Sequence, residues 1–316
     1  MSRIIGPLVV ILGPTAVGKT DLSIALAEAF GGEVLSADSR QVYRLMDIGT
    51  AKPTPTELAR VPHHLIDILY PDEHLTVAQF QQRAYETIDE VLARGRLPLL
   101  VGGTGQYVHA VVEGWGVPRV PPNQAQRAEL EAFGEVYGPT ALHARLASID
   151  PDASATIDRR NLRRVVRALE VYLETGQPIT RLRRKKAPPY LTLLIGLTRP
   201  RDQLYRRVDL RVDQMMADGL LGEVERLRAA GYGWDLPSMS SLGYRQFEAY
   251  FSGKASLVQA VAEIKHETRR FIRRQYTWFR LDDPGVLWFD LEVASTAEVI
   301  EAVRSWLDMN RESFGL

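Results

Sequence analysis

The stretch Gly13-Pro14-Thr15-Ala16-Val17-Gly18-Lys19-Thr20 decides the fold of this chain. It matches the pattern G-x-x-x-x-G-K-[ST], and it stands between an apolar run, Leu8–Leu12, and a helical pattern that begins near Lys19. Glycines at positions 13 and 18 let the backbone fold around a phosphate with its N–H groups pointing inward, and the helix N-terminus adds its positive dipole end. We therefore predict that residues 13–20 bind a phosphate or diphosphate group. Lys19 would supply a cationic donor, and the Thr20 hydroxyl would be a ligand of Mg²⁺.

Outward from this loop, short apolar runs alternate with amphipathic helical patterns. One helical pattern ends at Gly31-Gly32, and another begins after Thr76 and ends at Gly95. Near-continuous apolar strands that alternate with helices indicate a parallel sheet covered on both faces. We predict an α/β fold, a P-loop NTPase-like parallel sheet flanked by helices. The predicted strands are Leu8–Leu12, Glu33–Ser36, Leu65–Leu69, Leu97–Val101, Leu191–Leu197 and Val286–Leu291.

One segment, from about residue 118 to 188, breaks the alternation. It has helical periodicity without a convincing strand, and prolines flank it at Pro118, Pro121-Pro122 and Pro188-Pro189. We predict a helical insertion domain over 118–188, carried by a core whose first part is 1–117 and whose completion, with C-terminal helices, is 189–316.

Composition bounds the class of protein. The chain has 316 residues, of which 45% are hydrophobic and 25% charged, which excludes an intrinsically disordered chain. No apolar run approaches the ~18 residues of a membrane span. Cysteine is absent, which excludes disulfides, a thiol nucleophile and a Cys-based zinc site. We expect a cytoplasmic enzyme without a membrane partner. The net charge of zero, taken alone, argues against a nucleic-acid partner.

The acidic residue expected of an ordinary P-loop hydrolase or kinase is missing from its usual place. Such enzymes have a second strand that ends in an Asp near Mg²⁺, whereas Leu97–Val101 runs into Gly102-Gly103-Thr104-Gly105. Asp38 instead follows the strand Glu33–Ser36. Because carboxyl ends of parallel strands meet at one edge, we expect Asp38 and Thr104 near the phosphate loop. The alternatives are a helix N-cap or Mg²⁺ ligand for Asp38 and a simple turn residue for Thr104.

Two segments of the chain are strongly basic although its net charge is zero. Residues 158–186 hold ten basic and three acidic side chains, a balance of +7, and residues 265–280 hold six basic side chains with interleaved aromatics. A charge run is often only a solvated face, but two of them in a neutral chain favour contact with RNA phosphates.

The sequence resembles the tRNA dimethylallyltransferases, also called tRNA isopentenyltransferases, along essentially its whole length. The shared blocks, in family order, are residues 13–20, Ser36-Ala37-Asp38-Ser39-Arg40-Gln41-Val42-Tyr43, Met46–Pro53, Pro62–Asp67, Val101–Gly105, Arg167–Glu170 and Arg274–Phe279. Eukaryotic members often carry a C-terminal zinc finger, so a chain without cysteine resembles a bacterial form.

The resemblance implies an activity and a set of site residues. Members transfer a dimethylallyl group from dimethylallyl diphosphate to N6 of the adenosine 3′-adjacent to the anticodon, with Mg²⁺ as cofactor. It implies that Asp38 is the general base, that Thr104 donates a hydrogen bond to the bridging oxygen, and that Arg211 contacts the diphosphate. The alternative for Arg211, and for Arg207 one turn before it, is an exposed Arg–Asp helix face. The implied contacts to the tRNA anticodon stem-loop are Asp38, Ser39, Arg40, Gln41, Thr104 and Arg127, to which the basic segment adds Arg163, Arg164 and Arg167. We expect a monomer.

Two other functions fit parts of the sequence. A P-loop small-molecule or nucleoside kinase would explain the phosphate loop and the α/β core, but not Gly103-Thr104 in place of the usual acid, nor the basic insertion. An ATP-gated RNA-binding protein lacks support from any arginine-finger or motor-like second domain.

Overall fold

A computed structural model describes residues 4–118 and 120–314. Six strands form one parallel sheet in the order β3-β2-β4-β1-β5-β6. The predicted α/β class, with a P-loop NTPase-like parallel sheet, is confirmed. The strands are β1 (Gly6–Leu12), β2 (Gly32–Ser36), β3 (His63–His64), β4 (Leu97–Gly102), β5 (Tyr190–Thr198) and β6 (Val286–Asp290).

Thirteen α-helices lie in the described residues, and several begin at capping boxes. In such a box the hydroxyl of the cap residue, here Thr76, Ser256 or Ser295, accepts from the backbone N–H of the third helical residue. The side chain of that third residue accepts in turn from the backbone N–H of the cap residue. The helices are α1 (Lys19–Phe30), α2 (Pro55–Arg60), α3 (Val77–Ala93), α4 (Gly105–Glu113), α5 (Gln124–Ile149), α6 (Pro151–Thr156), α7 (Leu162–Thr175), α8 (Ile179–Leu182), α9 (Arg201–Ala217), α10 (Leu220–Ala229), α11 (Phe247–Phe251), α12 (Leu257–Trp278) and α13 (Thr296–Met309). None of these described helices is both long enough and apolar enough to cross a bilayer.

The sheet is buried on both faces, as its apolar strands predict. Val9 and Ile11 of β1 belong to one hydrophobic core, which includes residues of α1, α9, α10, α12 and α13. Leu8, Val10 and Leu12 point the other way, into a second core with α3 and α4. This alternation fixes the register of the central strand, and with it the position of the loop that follows.

The chain divides into two compact units. One comprises Met1–Val112 with Pro189–Leu316, and the other comprises Glu113–Pro188. The second unit holds α5 to α8 around its own apolar core. Within α5, Gly138 has φ 84° and precedes Pro139, which together interrupt the helix.

The predicted strand Leu65–Leu69 is wrong. The edge strand ends at His64, and Leu65 and Asp67 have φ of 62° and 52°, which a β-strand does not allow. The segment turns instead along residues 41–43, where the Ile68 and Leu69 amides both donate to the Val42 carbonyl, at 2.9 and 3.0 Å. Its apolar side chains are those of a packed loop.

Candidate functional site

The phosphate loop joins β1 to α1 in the conformation that its glycines allow. Gly13 and Gly18 have φ of 145° and 117°, and Ala16 has φ 64°. A Cβ on Gly13 would lie 2.5 Å from the Leu197 carbonyl oxygen, so only glycine fits beside β5. The Lys19 ammonium donates to the carbonyl oxygens of Gly13 and Pro14 at 3.0 and 2.8 Å. Its side chain therefore lies across the loop that is predicted to bind a phosphate.

Two arginines donate hydrogen bonds to the backbone of the loop. The Arg207 Nε group donates to the Ala16 carbonyl at 2.7 Å, and the Arg199 Nε group donates to the Val17 carbonyl at 3.0 Å. Arg207 is therefore an exposed residue of α9 whose Nε group is bound to the loop backbone.

A cavity of about 460 Å³ opens at the carboxyl edge of the sheet, beside this loop. Thr15, Asp38 and Thr104 supply polar groups to its lining, from the ends of β1, β2 and β4. Apolar side chains of α9 and α12 form another part of the lining, namely Val208, Val212, Met215, Ile264 and Phe271. The cavity therefore offers a charged region and an apolar region to one ligand.

Asp38 and Thr104 are brought together by hydrogen bonds between their turns. The Thr104 Oγ1 atom accepts from the Ser39 amide at 3.0 Å, and the Thr104 amide donates to the Ala37 carbonyl at 3.3 Å. The Asp38 Oδ1 atom accepts from the Arg40 amide at 2.8 Å, a side-chain turn rather than a helix N-cap, because no helix begins here. Both side chains line the cavity, as predicted.

Two half-buried cations, Lys19 and Arg211, share the site with Asp38. Burial lowers the pKa of the Lys19 ammonium to about 8; the Asp38 carboxylate opposes the shift, and the Arg211 guanidinium adds to it. Burial, followed by the charge of Arg207, also lowers the pKa of Arg211, which lines the cavity. Partly desolvated cations that repel one another are stabilised by a bound anion.

The predicted tRNA contacts fall into two groups by position. Ser39 and Arg40 line the cavity, and Arg40 also donates to the Pro237 carbonyl at 2.7 Å. Gln41 is occupied structurally, since its Oε1 atom accepts from the Ser36 hydroxyl at 2.8 Å and its Nε2 atom donates to the Ala51 carbonyl at 3.0 Å.

The predicted contacts of the insertion differ among themselves. Arg127 and Arg167 form ion pairs with the fully buried Glu170 carboxylate, at 2.8 and 2.6 Å. Arg163 and Arg164 are exposed on α7, and neither forms an ion pair with any carboxylate of the described residues. Arg127 and Arg167 therefore stabilise the insertion, whatever else they contact.

Several residues of the site were not predicted from the sequence. Gln275 bridges the phosphate loop and the Gly103 turn, and Glu223 binds the backbone of the loop that supplies Gly49, Thr50 and Ala51 to the cavity. One signal was available for both. Each is a polar residue at a position where the helical period of its neighbours predicts an apolar one.

The fold and the cavity together define a P-loop protein whose phosphate loop adjoins a carboxylate, a threonine hydroxyl and an apolar wall. A sequence model of the IPP transferase family matches residues 41–282. The chain is 55% identical over 303 residues to a tRNA dimethylallyltransferase of Roseiflexus sp. strain RS-1, covering 96% of this chain and 99% of that protein. The chain belongs to the IPP transferase family.

Solved structures give the same result. The full-length tRNA isopentenylpyrophosphate transferase of Bacillus halodurans is 44% identical, with a TM-score of 0.72 and coverage of 97% and 98% of the two chains. A eukaryotic dimethylallyltransferase captured acting on tRNA is 25% identical, with a TM-score of 0.82 over 96% of this chain and 80% of that one.

Proposed function

We propose that this protein is a tRNA dimethylallyltransferase, which transfers a dimethylallyl group from dimethylallyl diphosphate to N6 of the adenosine 3′-adjacent to the anticodon. The observation that carries the proposal is the composition of one cavity. Asp38, Thr104 and the Arg211 guanidinium line it together with an apolar wall, and Lys19 lies close enough to interact with Asp38 and Arg211. Family membership supports the same reaction.

The phosphate loop, Lys19 and Arg211 bind the diphosphate of the donor, and the apolar wall accommodates its five-carbon chain. The Thr20 hydroxyl lies at the start of α1. Mg²⁺ binds such hard oxygen ligands together with the phosphates of a substrate, so Thr20 fits this ion. When bound, Mg²⁺ neutralises charge that develops on the leaving diphosphate.

Transfer needs one bond to break and one to form. The allylic C–O bond breaks with its electron pair going to the bridging oxygen, which Thr104 stabilises as a hydrogen-bond donor. The adenine N6 lone pair forms the new C–N bond. The N6 proton passes to the Asp38 carboxylate, which acts as general base. Diphosphate is the second product.

The basic insertion and the basic end of α12 would bind phosphates of the anticodon stem-loop, whose loop bases are already partly unpaired. The adenosine must leave its stack to reach the cavity. We also propose that the protein works as a monomer in the cytoplasm, where its tRNA substrate is made.

The test is a product assay. Purified protein is incubated with Mg²⁺, dimethylallyl diphosphate and unmodified tRNA, and the nucleosides are analysed by mass spectrometry. We expect prenylated adenosine in tRNAs with adenosine at that position and none in a matched tRNA with guanosine there. Phosphoryl transfer from ATP without prenyl transfer would instead identify a kinase.

A further inference from the structure

The side chain of Gln275 joins two loops of the site that are far apart in sequence. It projects from α12 and is 3% exposed. Its Oε1 atom accepts from the Thr15 amide at 2.9 Å, and its Nε2 atom donates to the Gly103 carbonyl at 3.0 Å. One amide group therefore ties the phosphate loop after β1 to the turn after β4, and Thr104 is the next residue of that turn.

The glycines on both sides of Thr104 make room for α12. A Cβ on Gly103 would lie 2.4 Å from the Gln275 Nε2 atom, and a Cβ on Gly105 would lie 2.3 Å from the Trp278 Cγ atom. Both distances are shorter than real Cβ contacts, so a larger residue at 103 would displace the Gln275 amide, and one at 105 would displace the Trp278 side chain or the turn. The position of the turn that holds Thr104 is thus fixed by β4 and by two side chains of α12, Gln275 and Trp278.

The chemistry of the contact requires an amide. A backbone N–H and a backbone C=O face the same buried side chain, so that side chain must accept at one atom and donate at the other. Glutamine does both at this length without carrying a charge. Glutamate at neutral pH has no donor for the Gly103 carbonyl, and methionine has neither group.

We propose that Gln275 is a positioning residue that fixes the Thr104 hydroxyl relative to the phosphate loop, and so aligns it with the bridging oxygen of the leaving diphosphate. The inference rests on the proposed function, since it assigns Gln275 a role in that reaction. Gln275 acts through Thr104, because both polar ends of its side chain are bonded to protein backbone. Displacement of a catalytic group by about 1 Å can cost ~10²-fold in rate.

The experiment is a double-mutant cycle on single-turnover prenyl transfer. Gln275→Met keeps the side-chain length and removes both hydrogen bonds, and Thr104→Val removes the hydroxyl. We expect Gln275→Met to lower the rate ~10²-fold in the wild-type background and less than about threefold in the Thr104→Val background, because the hydroxyl that it positions is then absent. The dissociation constant for tRNA should change less than about twofold.

Two further variants separate positioning from folding. Gln275→Glu fills the same volume and should also slow transfer, since its carboxylate opposes the Gly103 carbonyl. It serves in place of Gln275→Met if that variant fails to fold. Thr277→Ala, an exposed position on the same helix, should leave the rate unchanged.

The possible results lead to different conclusions. Equal losses in both backgrounds, or full activity in both Gln275 variants, would overturn the inference while leaving the proposed function intact. Wild-type protein that transfers no prenyl group would overturn both at the first step.

Discussion

Lys19 is the residue on which the electrostatics of the site depend. Its ammonium group is held by two loop carbonyls in a site where burial lowers its pKa to about 8, from the 10.5 of a lysine in water. Between those two values the unfolded chain binds a proton that the folded chain does not. The contribution of Lys19 to stability therefore rises with pH from about 8 to 10.5, and below pH 8 the full cost of burying the charge is present.

This pKa makes the affinity for diphosphate depend on pH. A bound anion favours the protonated lysine, so we expect binding of inorganic diphosphate to weaken as the pH rises through 8, by about tenfold from pH 7 to pH 9. Diphosphate has protonation steps of its own, so the comparison is with Lys19→Arg, whose charge persists. The ratio of the two dissociation constants, measured by calorimetry across that range, isolates Lys19. A ratio that does not vary with pH would contradict the lowered pKa.

Asp38 carries the proton transfer in the proposed reaction. Asp38→Asn preserves size, and the amide oxygen can still accept from the Arg40 N–H, but the variant removes the base. We expect the single-turnover rate to fall ~10²- to 10⁴-fold, the usual contribution of a general base, with the tRNA dissociation constant within about threefold of wild type. Rapid-quench kinetics and filter binding measure the two quantities. Loss of tRNA affinity without loss of rate would assign Asp38 to binding alone.

At the scale of elements, one buried acid holds a loop of the cavity. The Glu223 carboxylate on α10 accepts from the amides of Asp47 and Ile48 at 2.8 Å and Gly49 at 3.1 Å, and from the Tyr244 hydroxyl at 2.7 Å. Burial and this carboxylate raise the pKa of Tyr244 well above its usual value, so the phenol remains a donor.

Removal of that charge should destabilise the fold. Glu223→Gln leaves one oxygen for several donors and turns an NH₂ group toward backbone amides, which should cost about 2–4 kcal/mol of unfolding free energy. The matched control is Glu225→Gln, an exposed position on the same helix, where the change should stay within about 0.5 kcal/mol. Urea denaturation of both variants measures the difference. Equal stabilities would mean that the carboxylate is dispensable.

The sequence predicts elements better than it predicts contacts between them. Buried parallel strands are nearly continuous apolar runs, so Leu8–Leu12 and Leu97–Val101 correspond to β1 and β4. Leu65–Leu69 is also apolar apart from Asp67, but it forms a loop, because composition does not encode the positive φ of Leu65. The edge strand is only His63–His64.

The residues of the candidate site also divide into those that the predicted elements locate and those that depend on contacts between elements. Asp38 and Thr104 were predictable because strand topology brings the carboxyl ends of β2 and β4 to one edge. Gln275 and Glu223 depend on bonds that span 172 to 260 residues and 174 to 176 residues. Local pattern marks them only as polar residues on apolar helix faces, and it does not specify their partners.

At the scale of the whole molecule, charge is distributed unevenly along a neutral chain. The balance of +7 over residues 158–186 is compensated elsewhere in a total of 39 basic and 39 acidic residues. Part of that basic segment is neutralised within itself, since Glu170 forms an ion pair with Arg167 and Asp158 forms one with Arg160. The exposed arginines of α7, Arg163 and Arg164, are among the basic side chains of the segment that remain to bind an external anion such as RNA phosphate.

Arg163 and Arg164 therefore provide the test of RNA binding by the insertion. We expect the double substitution Arg163→Glu/Arg164→Glu to weaken tRNA binding at least tenfold and to reduce the slope of log K against log salt by about 2, because about two phosphate contacts are lost. Filter binding across a salt series measures both. The charge-matched control, Arg83→Glu/Arg226→Glu, changes exposed side chains of α3 and α10 and should leave the slope near that of wild type. If both pairs lower the slope equally, tRNA senses only the net charge of the protein. If neither pair does, the insertion does not contact RNA through α7.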